Sequence, residues 1–164
     1  MHRVSRWGDW PAHVGLGLLG LGIAYALGNR RWLIICTAMV LACALAGAVN
    51  RVVKIGAGRA RPSVTHETGW NGPRLSSKYH SFPSGHTASS TAFFAVVVLA
   101  RRRLGLALLA VPLLIAASRL YVNAHHLSDV VGGALLGFLC ALLTWHFISN
   151  RALETRLSTG SDQA

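Results

Sequence analysis

The run Trp32–Val53, WLIICTAMVLACALAGAVNRVV, decides the fold. It holds no acidic residue and a single charge, Arg51, and it reaches the roughly 20 apolar residues that a helix needs to cross a bilayer. Polar and apolar residues do not alternate along it, and it is about twice the 9–11 residues of a barrel strand, so it reads as helix. Four further apolar runs extend the pattern: Ala12–Leu27, Phe82–Ala100, Leu104–Tyr121 and Val130–Ile148. With 52% hydrophobic and 13% charged residues in 164, the composition excludes an ordinary soluble domain. The expected fold is all-α, an integral-membrane helical bundle of about five transmembrane helices. A sixth would have to come from Met1–His13, which is otherwise an interfacial segment. Gly133 with Gly137, and Ala44 with Ala48, have the spacing that lets helix backbones approach closely. One domain, residues 1–164, is expected, with neither an internal repeat nor low complexity beyond the polar tail Ser158–Ala164.

The net charge of +11, from 16 Lys+Arg against 5 Asp+Glu, invites a nucleic-acid reading. The distribution argues against it, because the basic residues lie in short connections and form no continuous face with stacking aromatics. They read instead as topology signals and as partners of an anionic substrate. Cys36, Cys43 and Cys140 fall inside apolar runs without metal-ligand spacing and read as small packing residues. Trp7, Trp10, Trp32 and Trp145, with His146, suit anchoring near the membrane interfaces. Arg3 and Arg6 precede an apolar run as in a signal peptide, but no small-residue cleavage site follows, so the run is expected to be retained.

Three connections are short, and the fourth, Lys54 to Ser81, is long, polar and rich in Gly and Pro, the kind of loop that carries function. If the helices alternate in direction, this loop shares one side of the membrane with the connection that leads to Asp129. Arg30, Arg31, Arg101–Arg103, Arg151 and Arg156 emerge on the other side, which the positive-inside rule makes cytoplasmic. The active site is therefore expected to face the periplasm, or more generally the outside, of a bacterial inner membrane.

Three polar clusters meet on that outer side: Lys54 with Arg61-Pro62, then Pro83-Ser84-Gly85-His86, then Ser118-Arg119 with His125 and Asp129. Each alone has a plain structural explanation: snorkelling flanking charges, a serine helix cap, a loop histidine before a helix-starting carboxylate. Together they suit a phosphoryl group, whose charge spreads over three oxygens and calls for cationic donors from several directions. Lys54, Arg61 and Arg119 supply cations. The amides near Ser84, Gly85 and His86 add donors at a positive helix end, where Gly85 lets the backbone come close. His125 and Asp129 are four apart, so on a helix the carboxylate would hold one ring nitrogen and free the other to attack phosphorus. His126, one residue on, would point about 100° away on a helix and should not share that face. His86 is left to protonate the leaving oxygen. Arg59, Arg74 and Lys78 are further loop cations that a second phosphate could engage. His66, His80 and Trp70 read as structural, and Asp9 and Glu67 have no assigned role.

The three clusters, in this order and spacing, resemble the signature motifs of the type 2 phosphatidic acid phosphatase superfamily, the lipid phosphate phosphatases. The resemblance spans Lys54 to Asp129. It implies a helical membrane bundle that hydrolyses a lipid phosphate or diphosphate through a phosphohistidine, with no metal ion or other cofactor. In the roles it implies, His125 is the nucleophile, Asp129 its partner and His86 the acid, while Lys54, Arg61, Ser84, Gly85 and Arg119 bind phosphate. Undecaprenyl diphosphate, phosphatidylglycerophosphate, phosphatidic acid and lipid A 1-phosphate are all candidate substrates, and no motif speaks to oligomeric state. Two other readings compete. A vanadate-dependent haloperoxidase would share the anion cradle, but those relatives are large and soluble. A non-enzymatic anion binder or transporter would need the cations but not two imidazoles.

Overall fold

The computed structural model describes residues 10–64 and 69–161, with side chains to residue 152. Met1–Asp9, His66, Glu67 and the Arg156 side chain, with most of the polar tail, lie outside the described residues. Six helices follow in order: α1 (Trp10–Ala26), α2 (Arg30–Ala57), α3 (Gly85–Ala100), α4 (Arg102–Leu108), α5 (Ala110–Tyr121) and α6 (Leu127–Ser161). A 3-10 turn, Ser77–Tyr79, sits in the long loop. Among the described residues, three segments are long and apolar enough to cross a membrane: Arg30–Ala57, Arg102–Tyr121 and Leu127–Ala152. The apolar helices α1 and α3 are shorter, at 17 and 16 residues.

The expected Leu104–Tyr121 helix is divided in two. Pro112 has no amide to bond the Leu108 carbonyl, and around Leu109 the chain shifts to a tighter turn in which the Leu109 amide is shared between Gly105 and Leu106. The expected start at Phe82 is also displaced, to Gly85. Pro83 and the extended Ser84 form the entry to α3, and the Phe82–Pro83 peptide is cis.

Helix α3 is the axis of the bundle. It packs against α6, α2, α4, α5 and α1, and its residues Thr87–Ser90 and Ala92–Val97 are buried. Hydroxyl groups on this interior helix are satisfied locally: Ser89 Oγ donates to the Gly85 carbonyl and Ser90 Oγ to that of His86. Small residues on α6 let the two backbones close up as expected. A Cβ on Gly137 would fall 2.3 Å from the Ala88 carbonyl oxygen, and one on Gly133 would fall 2.6 Å from that of Ser84. On α2 the packing stripe is Ala38, Ala42 and Ala46, each fully buried, and the expected Ala44 and Ala48 are exposed. Two residues along a helix turn the side chain by about 200°, so the spacing of four holds on the face opposite to the expected one. Cys36, Cys43 and Cys140 are buried free thiols, while Trp32 and Trp145 pack against the core.

The long loop folds back onto the end of the bundle. Gly58 caps α2 with φ 52°, and any side chain there would collide with the Gly72 carbonyl, so this turn requires glycine. Beyond it Arg59 pairs with Trp70 in an isolated antiparallel bridge, the Arg61 amide bonds the Lys78 carbonyl, and the Ser81 amide bonds the Arg59 carbonyl at 3.0 Å. The loop thus returns the chain to the start of α3 beside the α2 residues it left.

Candidate active site

Backbone and side-chain bonds converge where α2 ends and α3 and α6 begin. The Ser84 amide donates to the Asp129 carbonyl at 2.8 Å, tying the start of α3 to that of α6. Asn50 on α2 donates from Nδ2 to the Pro83 carbonyl, and Lys54 Nζ donates to the His80 carbonyl at 2.7 Å. These bonds bring all three polar clusters of the sequence to one end of the bundle.

His125 lies in the connection before α6, with its ring almost wholly buried. Its Nδ1 stands 2.8 Å from the Ser81 carbonyl oxygen, and Asp129 Oδ2 is 3.7 Å away. The immediate partner is therefore the Ser81 carbonyl, where the sequence pointed to the carboxylate; Ser81 bridges the two, with its carbonyl at His125 and its hydroxyl on Asp129. A carbonyl only accepts, so Nδ1 carries the hydrogen and the lone pair is left on Nε2. Lys54, Arg61 and Arg119 are near enough for their charges to act on this imidazole. Burial lowers its pKa below the usual 6.5; the three cations push the same way, and Asp129 opposes them.

Asp129 is completely buried, and its donors come from several segments. Oδ1 pairs with Arg59 Nη1 at 2.5 Å, and Oδ2 accepts from Ser81 Oγ and from the His126 amide at 2.8 Å. The His126 ring also approaches it, with Nδ1 at 3.2 Å from Oδ2. Both imidazoles thus face one carboxylate, contrary to the helical argument. Residues 122–126 are not helical, α6 begins only at Leu127, and the 100° rule does not apply before it.

The remaining residues surround this centre. Ser84 is fully buried and accepts from Thr87 Oγ1 at 3.0 Å, Arg119 is buried at the end of α5, and Arg61 Nε bonds the Ser77 carbonyl at 3.1 Å. His86 and Gly85 line a pocket of about 240 Å³ together with Asn50, Arg51, Lys54 and Ser89. Among the three loop cations, Arg59 is turned inward onto Asp129 rather than outward to a second phosphate, and Arg74 stacks on Tyr79 at 5.3 Å. His80 is structural, with Nε2 2.8 Å from the Arg74 carbonyl. Sequence reasoning missed Ser81 and gave Arg59 a different part. Among the described residues no group of three or more His, Cys, Asp or Glu is arranged to hold a metal ion.

The family model of the PAP2 superfamily matches residues 31–153, three quarters of the chain and every residue of the site just described. The chain belongs to the PAP2 superfamily. Lipid A 1-phosphatase of Rhizobium johnstonii is 36% identical over 104 residues, covering 60% of this chain and 41% of that protein. The protein of the same name from Rhizobium etli is 35% identical over 104 residues, covering 60% and 44%. The chain thus spans less than half the length of these relatives. Among solved structures, a transmembrane PAP2-type phosphatidylglycerolphosphate phosphatase from Bacillus subtilis superposes with a TM-score of 0.65 at 22% identity, over 91% of this chain and 75% of that one. Aquifex aeolicus LpxE gives 0.59 at 23%, over 82% of each. These two likenesses establish the fold as that of a PAP2 membrane protein.

The surroundings of His125 predict a titration midpoint below 6.5, so that the ring is mostly neutral at pH 7 and takes up its proton only as the pH falls through that midpoint. Deuterium exchange at the imidazole C2 position, followed by mass spectrometry of the His125 peptide across a pH series, measures it. A midpoint at or above 6.5 would contradict the described environment.

Proposed function

We propose that this chain is a membrane phosphatase that hydrolyses a lipid phosphate through a phosphohistidine on His125. The observation that carries this reading is the bond from His125 Nδ1–H to the Ser81 carbonyl. It leaves Nε2 as a neutral nucleophile amid three cations able to bind the phosphoryl oxygens.

In the proposed reaction Nε2 attacks phosphorus and the bond from phosphorus to the lipid oxygen breaks, its electron pair leaving with that oxygen. His86 supplies the proton the oxygen takes up. Water then attacks the phosphohistidine, giving its proton to His86, and inorganic phosphate is released with Nε2 restored. Lys54, Arg61 and Arg119, with the amides at the start of α3, neutralise the charge that builds on the phosphoryl oxygens. Because side-chain cations fill this role, the reaction is proposed to need no metal ion, and a divalent cation would be repelled from the same space.

We assign the pocket beside His86 to the leaving group; its lining sets the polar Asn50, Arg51 and Ser89 beside Trp10 and Gly47, which suits the headgroup of a lipid next to the broken bond. With relatives that carry the name lipid A 1-phosphatase, this makes a phosphorylated sugar lipid such as lipid A 1-phosphate the first substrate to test, ahead of undecaprenyl diphosphate, phosphatidylglycerophosphate and phosphatidic acid. Purified protein in detergent should release phosphate from at least one of these four, fastest from lipid A 1-phosphate. His125→Ala should abolish release and His126→Ala should keep most of it, since the His126 amide still reaches Asp129. His86→Ala should cost roughly 10²–10⁴-fold on a lipid substrate and far less on nitrophenyl phosphate, whose leaving group needs no proton. No release from any of the four, or equal loss in the His125 and His126 variants, would refute the reading.

The site is proposed to face outward. Trp32 at the start of α2 lies beside the Arg101–Arg103 turn, so these arginines share the end opposite the site, and they mark it as cytoplasmic. A cysteine at position 102 should resist an impermeant maleimide in intact cells and react after permeabilisation. Labelling in intact cells would reverse the orientation.

A further inference from the structure

The reaction as proposed gives Arg59 no part, yet it is more closely bound to the His125 partners than any cation assigned to phosphate. Its carbonyl accepts the Ser81 amide at 3.0 Å. Its Nη1 pairs with Asp129 Oδ1 and also donates to Ser128 Oγ at 2.6 Å. The other oxygen of Asp129 accepts the Ser81 hydroxyl, and the Ser81 carbonyl holds His125. Arg59, Asp129 and Ser81 therefore form a closed ring of bonds, with His125 attached at one corner. The guanidinium is held from its outer face by Trp70, whose ring centroid is 5.0 Å from Cζ, and Trp70 packs edge-on against Phe82 at 5.1 Å. With Nη1 on two fixed acceptors and the flat face of the group stacked on Trp70, the geometry suits the planar guanidinium of arginine better than the ammonium of lysine, which cannot stack in this way.

We propose that Arg59 is a positioning residue for the hydrolysis, fixing Asp129 and Ser81 so that the His125 ring is held with Nε2 toward phosphorus. The proposal rests on the phosphatase reading for its kinetic consequences but not for its structural ones. Groups facing His125 are Lys54 from α2, Arg61 from the loop, Arg119 from α5 and Asp129 from α6. His126 shares Asp129, and His86 is the titratable residue at the same end of α3. Removing Arg59 leaves Asp129 without its paired cation, so the carboxylate acts more strongly on the imidazole and favours its protonated form. The His125 midpoint then moves to higher pH.

The test compares Arg59→Gln and Arg59→Lys with the unaltered protein in three measurements: kinetics of phosphate release, the C2-exchange midpoint of His125, and thermal stability in detergent. Arg59→Gln should lower kcat on the order of 10²-fold with little change in KM, since the phosphate-binding cations remain, and should raise the His125 midpoint. Arg59→Lys keeps the charge without the planar stack on Trp70, so its midpoint should stay near that of the unaltered protein while kcat recovers only in part. An unchanged midpoint and kcat in Arg59→Gln would overturn the proposal. So would a loss of activity that follows stability alone, with the midpoint unmoved and no recovery in the lysine variant. If the unaltered protein releases no phosphate, the phosphatase reading fails, and the midpoint comparison still decides whether Arg59 sets the state of His125.

Discussion

A carboxylate with no exposed surface has to be surrounded by donors, and Asp129 collects them from stretches of chain far apart in sequence. Arg59 and Ser81 come from the two ends of the long loop, the His126 amide from the turn before α6, and the Asp129 carbonyl in turn fixes the start of α3. Leaving one partner of such a buried pair unmatched costs about 3–5 kcal/mol, enough to drive the loop onto the bundle in a single register. Placement of Ser81, and through it His125, depends on this one residue.

The second constraint is electrostatic. Burial disfavours protonation of the His125 imidazole, and three cations beside it add to the effect. In the proposed reaction the same arrangement serves twice: it keeps Nε2 unprotonated before the substrate arrives, then stabilises the anion that Nε2 attacks. The axial helix α3 supports this economically. It brings Ser84, Gly85 and His86 to the site at one end and fills the core with Phe93, Val96 and Val97 toward the other.

Much of this was legible in the sequence because it depends on local chemistry. The apolar runs mark the helices, and the polar residues at Lys54 with Arg61, at Pro83–His86 and at Arg119 with His125 and Asp129 mark the three clusters that the fold brings together. What could not be read depends on where a loop returns. Nothing local to Ser81 shows that it will bridge His125 and Asp129, and nothing local to Arg59 shows that its charge turns inward. Two discrepancies were local and could have been anticipated. Pro112 signals the break between α4 and α5, and the non-helical turn before Leu127 lets His125 and His126 face the same carboxylate.

The central claim is that Nε2 of His125 becomes covalently bonded to phosphorus. The most direct measurement is rapid alkaline quench of the enzyme during turnover of a phosphorylated lipid, followed by mass spectrometry under conditions that preserve phosphoramidates. The account predicts one phosphoryl group on the peptide containing His125, attached at Nε2 and lost on acidification. Phosphate found on His126 or His86 instead, or turnover with no phosphoenzyme at any quench time, would contradict it.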